Sequence, residues 1–138
     1  MIWSCDDYRA RVTGLATRGV GELVHDAAHE EKNLKDVVLV WITVESHDSI
    51  NDVDQAVPII MKDFTDLGRE RLHIIPFAHL SNELAEMKTA NTVLDAIYER
   101  ILEQMKNNVT KEHFGSDKEV ELLLKGHPGN IRYREIKH

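Results

Sequence analysis

The stretch DVVLVWITVES, residues 36–46, decides the class of fold. Its first part is a nearly continuous run of β-branched, aliphatic and aromatic side chains, namely Val37, Val38, Leu39, Val40, Trp41 and Ile42. Runs of this kind form central strands that are buried on both faces of a sheet. The segment therefore predicts a central strand, and the rest of the chain must supply its neighbours.

Other strands are predicted on both sides of this segment. LHIIPFA, residues 72–78, has a strand pattern, and Pro76 must lie near its end or at an edge because proline cannot donate to a ladder. Further strands are predicted over residues 1–5, 8–15, 119–124 and 130–136. The first two of these would form an N-terminal hairpin.

Three segments have the apolar spacing of amphipathic helices, residues 19–33, 52–68 and 89–108. Gly68 is a predicted C-cap of the second helix, and Thr89 is a predicted N-cap of the third. The element order is then ββαβαβαββ. This order predicts one α/β domain over residues 1–138, with a mixed β-sheet and helices packed on it.

The composition is that of a globular protein. The chain has 138 residues, of which 42% are hydrophobic and 30% charged, which excludes a disordered chain. No apolar run approaches the roughly 20 residues of a membrane helix. Acidic residues stand where a signal peptide needs a basic and then an apolar stretch. The single cysteine, Cys5, excludes an intrachain disulfide. A cytoplasmic protein is therefore expected.

The net charge of −7 bears on the class of partner. It argues against a protein held on nucleic acid by a broad basic face. A site that grips only the end of an RNA is still compatible with it. A local cluster of Arg132, Arg134 and Lys137 could serve there, or it could be solvated surface.

Two motifs have a chemical and a structural interpretation. HDAAH places His25 and His29 four residues apart on a helix face, which is a metal-ligand spacing, but no third ligand stands out. A solvated helix face is the favoured interpretation. Cys5 has no basic neighbour in sequence, which favours a buried thiol over a nucleophile. No phosphate-binding glycine loop and no GxSxG motif is present.

Two turns carry polar side chains next to a strand. FGSDK, residues 114–118, is a tight turn that brings Lys118 to the start of a strand. KGHPGN, residues 125–130, follows that strand, and its glycines and proline indicate another turn. Spacing alone does not say whether Lys118 and His127 are functional.

Taken together, these segments resemble a known family. VVLVWITVE, HIIPFAHLSNELA, a long helix, HFGSDK and LLKGHP occur in one order over residues 37–128. They are similar to the N-terminal editing domain of archaeal threonyl-tRNA synthetases. That family has a strand that ends in TVE, followed by the motifs YPYAHLS, FGxxK and CKGHP. SCDDY resembles the family's IHADY loosely, with Cys5 in place of histidine.

The resemblance implies a fold shared with D-aminoacyl-tRNA deacylases and a homodimer. It implies hydrolysis of the ester between a wrongly attached serine and the tRNA for threonine, with no cofactor and no metal. The partners would be the 3' end of a tRNA and a threonyl-tRNA synthetase catalytic chain. The free 2'-hydroxyl of the terminal ribose would assist the attacking water.

The resemblance also implies roles for particular residues. Val44 would lie beside the aminoacyl group, and Ala78 and His79 would form a pocket wall. Lys118 and His79 would be the catalytic residues, Lys118 by orienting the water or stabilising an oxyanion. The remaining substrate-binding residues would be Pro76, Phe77, Gly115, Asp117, Lys125, His127 and Ile131.

Two positions depart from the family pattern. Asp117 stands where the family has tyrosine, and Ile131 stands where it has a glutamate that contacts the seryl group. Two alternatives to an active editing hydrolase therefore remain. One is a diverged, non-catalytic homologue that binds tRNA ends or another partner. The other is a D-aminoacyl-tRNA deacylase.

Overall fold

The computed structural model describes residues 1–15 and 31–138. Its strands are β1 (Ile2–Leu15), β2 (Glu31–Ile42), β3 (Arg71–Pro76), β4 (Val109–Lys111), β5 (Ser116–Leu123) and β6 (Ile131–Arg132). Its helices are α1 (Val53–Leu67) and α2 (Met87–Met105), with 3₁₀ turns at Ile50–Asp52 and Pro128–Asn130. Neither helix is long and apolar enough to cross a membrane.

In these ranges the strands form one mixed sheet in the order β4-β3-β2-β1-β5, and β6 also pairs with β1. β2, β3 and β4 are parallel, whereas β1 is antiparallel to β2, β5 and β6. The carboxyl ends of the three parallel strands therefore meet at one edge of the sheet. The expected α/β fold with a mixed sheet is confirmed.

The apolar run of β2 is buried on both faces, as its sequence predicts. Val38 and Val40 pack against apolar side chains of α1 and α2. Val37, Leu39 and Trp41 belong to a second buried cluster on the opposite face of the sheet. β2 is thus the central element on which both layers of the core rest.

The predicted N-terminal hairpin is wrong, because residues 2–15 form the single strand β1. β1 pairs with β2 along one side and with β5 and β6 along the other. Asp6 lies between the two segments predicted as separate strands. Arg69, which follows α1, binds Asp6 at 2.6 Å, so the acidic residues at this point do not form a turn. Its partner is 63 residues away in sequence, which local patterns do not reveal.

Only the last three residues of the predicted first helix fall on described residues. Residues 19–30 of it lie outside the described residues, but the helical prediction is wrong for residues 31–33, which begin β2. Glu31 pairs with Arg11 and Asn33 pairs with Arg9 in the ladder with β1. A long antiparallel ladder outweighs the weak helical preference of these few residues.

The bounds of the other helices and strands differ less from the predictions. α1 ends as predicted at Gly68, whose φ of 68° is the left-handed conformation that favours glycine. Thr89 is not an N-cap, because α2 begins two residues earlier at Met87. The predicted strand at 130–136 is reduced to the two residues of β6. β4, which the sequence did not predict, has only three residues and is formed by pairing with β3.

The C-terminal arginines stabilise the fold rather than offering a free basic patch. Asp63 of α1 is 1% exposed, and its Oδ1 accepts a hydrogen bond from Arg132 at 2.7 Å. Arg134 donates to both carboxylate oxygens of Asp63, at 2.8 and 3.0 Å. The hydrogen bond from Arg134 and the contacts with Arg132 hold the pKa of Asp63 below its ordinary value despite burial. Two members of the predicted RNA-end cluster are therefore engaged in anchoring the C-terminal segment to α1.

A buried polar network joins β1, β3 and the residue that follows β4. His73 is 0% exposed, and its Nε2 lies 2.8 Å from Oε1 of Glu112, which is 2% exposed. The hydroxyl of Tyr8 donates to the same oxygen at 2.8 Å. The other ring nitrogen of His73 lies 2.7 Å from the hydroxyl oxygen of Thr110. Each polar group that the core encloses here has a partner, which burial requires.

Burial alone would raise the pKa of the Glu112 carboxyl. The hydrogen bond and charge of His73, with the hydrogen bond from Tyr8, outweigh burial and hold this pKa below its ordinary value. A carboxyl group whose pKa is lower in the folded state stabilises that state above the pKa of the unfolded chain. The contribution is lost as the pH falls through the folded-state pKa.

We expect Glu112→Gln to lower the free energy of unfolding at neutral pH by about 1–3 kcal/mol, because a charge-assisted buried hydrogen bond is replaced by a neutral one. The stability of the variant should also depend less on pH below about 4.5, near the unfolded glutamate pKa. Urea unfolding between pH 3 and 7 measures both effects. Glu70→Gln, at an exposed position, is the matched control. Equal acid sensitivity of wild type and Glu112→Gln would contradict the assignment.

Candidate active site

The main cavity opens where the three parallel strands end. Its volume is about 500 Å³, within the usual range of small-molecule sites. The lining comes from residues 41–44 at the end of β2, residues 75–79 at the end of β3, and residues 114–118, which span the turn before β5 and the start of β5. Apolar side chains of α2, of the segment before it and of Val120 in β5 complete the walls. Ligand sites in α/β sheets characteristically lie outside the carboxyl ends of the strands.

Backbone hydrogen bonds fix the two strand ends relative to each other. The amide of Phe77 donates to the carbonyl of Ile42 at 2.9 Å, and the hydroxyl of Thr43 donates to the carbonyl of Phe77. The amide of Ala85 donates to the carbonyl of Val44 at 3.0 Å. Val44 is 6% exposed. It therefore forms a packed, apolar part of the cavity wall.

Three aromatic rings contact one another edge to face at the ends of β2 and β3. His79 is exposed and meets Phe77 edge to face, with ring centroids 5.1 Å apart. Phe77 meets Trp41 in the same manner at 5.3 Å. These contacts orient the imidazole of His79 at the cavity, while Pro76 and Ala78 form the wall beside it.

The FGSDK turn brings a cation to the cavity. Gly115 has a φ of 80°, a left-handed conformation in which a side chain is strained, so glycine allows the chain to turn here into β5. Lys118 is half-buried and lines the cavity, and its ammonium donates to the carbonyl of Ser116 at 3.1 Å. Asp117 also lines the cavity but is exposed. The site therefore holds one ammonium group with a carboxylate next to it in sequence.

The lining residues determine which chemistry is available. Among the described residues, the titratable side chains of the lining are His79, Asp117 and Lys118. The hydroxyls of Thr43 and Ser116 donate to backbone carbonyls, not to a side-chain base. No hydroxyl in this lining is thus paired with a general base as a nucleophile. The cavity can bind a partly apolar ligand and stabilise negative charge beside it.

Eight of the predicted site residues meet at this cavity, namely Val44, Pro76, Phe77, Ala78, His79, Gly115, Asp117 and Lys118. Three others lie outside its lining. Lys125 is exposed, with its ammonium 3.8 Å from Asp6. His127 caps the second 3₁₀ turn by accepting from the amide of Gly129 at 3.1 Å. Ile131 pairs with Trp3 in the sheet and is 42% exposed.

Of the two alternative chemical motifs, the one that the structure describes, Cys5, lies outside the cavity lining. Cys5 is fully buried, its thiol donates to the carbonyl of Asp7 at 3.2 Å, and burial raises its pKa. These are the properties of an inert structural thiol. His25 and His29 lie outside the described residues.

Sequence reasoning did not single out several lining residues. Thr43 belongs to the strand motif but was not assigned a role, and its hydroxyl contact with β3 appears only in three dimensions. Part of the cavity wall comes from apolar side chains whose sequence pattern indicates only ordinary helix and loop packing, namely Leu84, Met87, Ala90 and Leu94.

Comparison with known proteins finds relatives that match most of this chain. A threonine–tRNA ligase of Pyrococcus furiosus is 41% identical over 103 residues, which cover 72% of this chain and 16% of that protein. A threonine–tRNA ligase of Methanococcoides burtonii is 34% identical over 115 residues, covering 81% of this chain and 18% of that protein. The chain therefore spans less than a fifth of the length of these relatives.

The family comparison covers nearly all of the sequence. Residues 14–136 match the archaea-specific editing domain of threonyl-tRNA synthetase. This range includes all of the residues that line the cavity described above. The chain belongs to the family of archaea-specific editing domains of threonyl-tRNA synthetase.

Proposed function

We propose that this domain hydrolyses mischarged aminoacyl-tRNA in the cytoplasm, with Ser-tRNA(Thr) as substrate. The observation that carries the proposal is the convergence of Val44, His79 and Lys118 on one cavity in a chain of this family. The cavity lies at the carboxyl ends of the parallel strands, where an aminoacyl-adenosine can enter from outside the sheet.

In the proposed reaction a water oxygen bonds to the ester carbonyl carbon. The bond from that carbon to the ribose oxygen then breaks, and the ribose hydroxyl leaves with a proton. Negative charge develops on the carbonyl oxygen, and the ammonium of Lys118 stabilises it or orients the water. The free 2'-hydroxyl of the terminal ribose assists the water, in keeping with a lining in which no protein hydroxyl has a base partner.

Selectivity for serine would come from the apolar wall. Threonine differs from serine by one methyl group, and exclusion of a methyl by a packed wall changes the rate by about 10–200-fold. Val44 is buried and linked by its carbonyl to Ala85, so it yields little space. His79 and Ala78 would form the adjoining wall against the adenosine.

We expect the domain to release serine from Ser-tRNA(Thr) and Lys118→Ala to lower kcat by about 10–1000-fold, the loss typical of one oxyanion-stabilising group. Single-turnover deacylation of radiolabelled Ser-tRNA(Thr) measures this rate. Lys62→Ala is the matched control, because Lys62 is an exposed lysine of α1 outside the cavity lining.

Two outcomes would contradict these proposals separately. An absence of serine release above buffer at micromolar protein would refute the proposed activity. Release at the wild-type rate by Lys118→Ala would keep the activity and remove Lys118 from the mechanism.

The departure at Asp117 supports a second candidate, a non-catalytic homologue that binds tRNA ends. Its carboxylate directly precedes Lys118, which carries the cavity's ammonium group, and can offset that charge. Asp117→Tyr should then raise the deacylation rate by about tenfold, equivalent to about 1.4 kcal/mol. Ile131→Glu serves as a comparison, because Ile131 lies outside the cavity lining.

Deacylation assays of both variants, alone and combined, distinguish the candidates. If neither variant gains activity on Ser-tRNA(Thr), the hypothesis that the domain lost its activity through the substitutions at residues 117 and 131 is refuted. Cleavage of D-Tyr-tRNA or D-Asp-tRNA without hydrolysis of the seryl ester would instead identify a D-aminoacyl-tRNA deacylase. This third hypothesis rests on fold analogy.

We further propose a homodimer that works with a threonyl-tRNA synthetase catalytic chain. Among the described strands, β5 is at one edge of the sheet, and it exposes Val120, Leu122 and Leu123. Exposed apolar edge strands are sites of pairing with other chains. A Leu122→Lys, Leu123→Lys variant should be monomeric in analytical ultracentrifugation, whereas Ile50→Lys, at another exposed apolar position, should keep the wild-type mass. A dimer that survives the double substitution would exclude this edge as the interface.

A further inference from the structure

A cluster of imidazole and carboxylate groups lies apart from the residues that line the main cavity. His47 and Asp48 stand in the turn that follows β2, and His138 reaches them from the C-terminal segment. The possible ligand atoms of these three side chains all lie within 4.8 Å of one another. Nε2 of His138 is 3.4 Å from Oδ1 of Asp48, and Nε2 of His47 is 3.9 Å from the same oxygen.

Two aspartates of this cluster are held in place by the backbone. Oδ2 of Asp48 accepts from the amide of Glu45 at 2.8 Å, and Oδ2 of Asp52 accepts from the amide of Ser49 at 2.8 Å. Each aspartate thereby keeps its Oδ1 directed toward an imidazole, Asp52 at 2.9 Å from His138. These side chains are only 16% and 12% exposed, so their positions are well defined before a ligand binds.

The charge of the cluster favours a cation. Glu45 adds a third carboxylate, with its Oε2 3.4 Å from Nε2 of His47. Within residues 1–15 and 31–138, the ion pairs of Glu45, Asp48 and Asp52 are formed with histidines alone. Three carboxylates this close together produce a negative potential that a divalent cation would offset. Imidazole nitrogens beside them are common ligands of such an ion.

We propose that His47, Asp48 and His138 form a binding site for a divalent transition metal ion of the zinc class. Two ligands about 2.0–2.1 Å from zinc at a tetrahedral angle are about 3.3 Å apart. The separations from Oδ1 of Asp48 to the two imidazole nitrogens, 3.4 and 3.9 Å, are close to that value. Two imidazoles with a carboxylate suit zinc better than magnesium or calcium, which prefer oxygen ligands alone.

The ion would act as a structural crosslink. His47 is three residues beyond Val44, and His138 belongs to the segment whose Arg134 binds Asp63 of α1. A bound ion would therefore fasten the C-terminal segment to the turn that continues the cavity wall. The site does not depend on the proposed hydrolysis, and its residues are distinct from the HDAAH pair at His25 and His29.

The test uses the untagged full chain, freed of metal by a chelator, and titration with zinc chloride followed by calorimetry. We expect one zinc ion per chain at this site, with micromolar or tighter affinity. His47→Ala and His138→Ala should each weaken it by at least about tenfold, because even the loss of a residue that only supports a metal ligand costs about 10–100-fold in affinity. A His25→Ala, His29→Ala variant is the matched control and should retain that affinity. Circular dichroism of each variant verifies that it is folded.

A second readout keeps the assignment independent of variant stability. Cobalt bound to the wild type should give the visible absorption of a low-symmetry site, and His138→Ala, which alters only the last side chain of the sequence, should abolish it. Unchanged zinc affinity in both His47→Ala and His138→Ala would overturn the proposal. So would an absence of binding up to roughly 100 μM zinc, well above the micromolar affinities expected for such a site. Loss of zinc binding only in the His25→Ala, His29→Ala variant would place the metal elsewhere and equally overturn it.

Discussion

The carboxylate of Glu112 is the buried group on which the FGSDK turn at the cavity depends. It accepts hydrogen bonds from Tyr8 of β1 and lies 2.8 Å from Nε2 of His73 of β3, while its own amide donates to the carbonyl of Ile74 at 2.8 Å. Moving this residue would leave an unpaired charge in the core, which is strongly unfavourable. The chain therefore leaves β4 from a fixed point, and three residues later Gly115 turns it toward Lys118.

The register of the parallel strands determines the other walls. Ile42 pairs with Pro76, so β2 and β3 end at the same level. Val44 and Ala78, each two residues beyond that pair, consequently lie on neighbouring walls of one cavity. The Thr43 hydroxyl joins the two ends through the carbonyl of Phe77. The site is thus built on strand ends and a packed turn, which hold side chains more precisely than a long loop would.

The parts of this fold that sequence can predict are those with a strong local signal. The apolar run of β2 and the glycine that ends α1 both act through near neighbours, and both were predicted. β1 was divided wrongly because Asp6 is neutralised by Arg69 from a distant part of the chain. β4 was missed because three residues carry no detectable period.

The candidate site shows the same division between local and distant information. The motifs around His79 and Lys118 predicted residues that do meet at one cavity. The depth of that cavity depends on Leu94 and its neighbours on α2, whose sequence pattern is that of any packed helix. Ile131 was assigned to the site by its resemblance to a position of the family pattern, but it pairs with Trp3 and lies outside the lining.

The two expected departures from the family pattern, Asp117 and Ile131, fall where packing restricts the side chain least. Val44 is buried, and a change there would disturb the core that supports the strand ends. Asp117 and Ile131 are exposed, so substitutions there cost the fold little. A fold can therefore keep its strand ends, its turn and its lysine while the polar groups near the cavity change. Of the two positions, Asp117 lines the cavity and Ile131 does not, so a substitution at residue 117 can change the charge beside Lys118 without disturbing the strand ends.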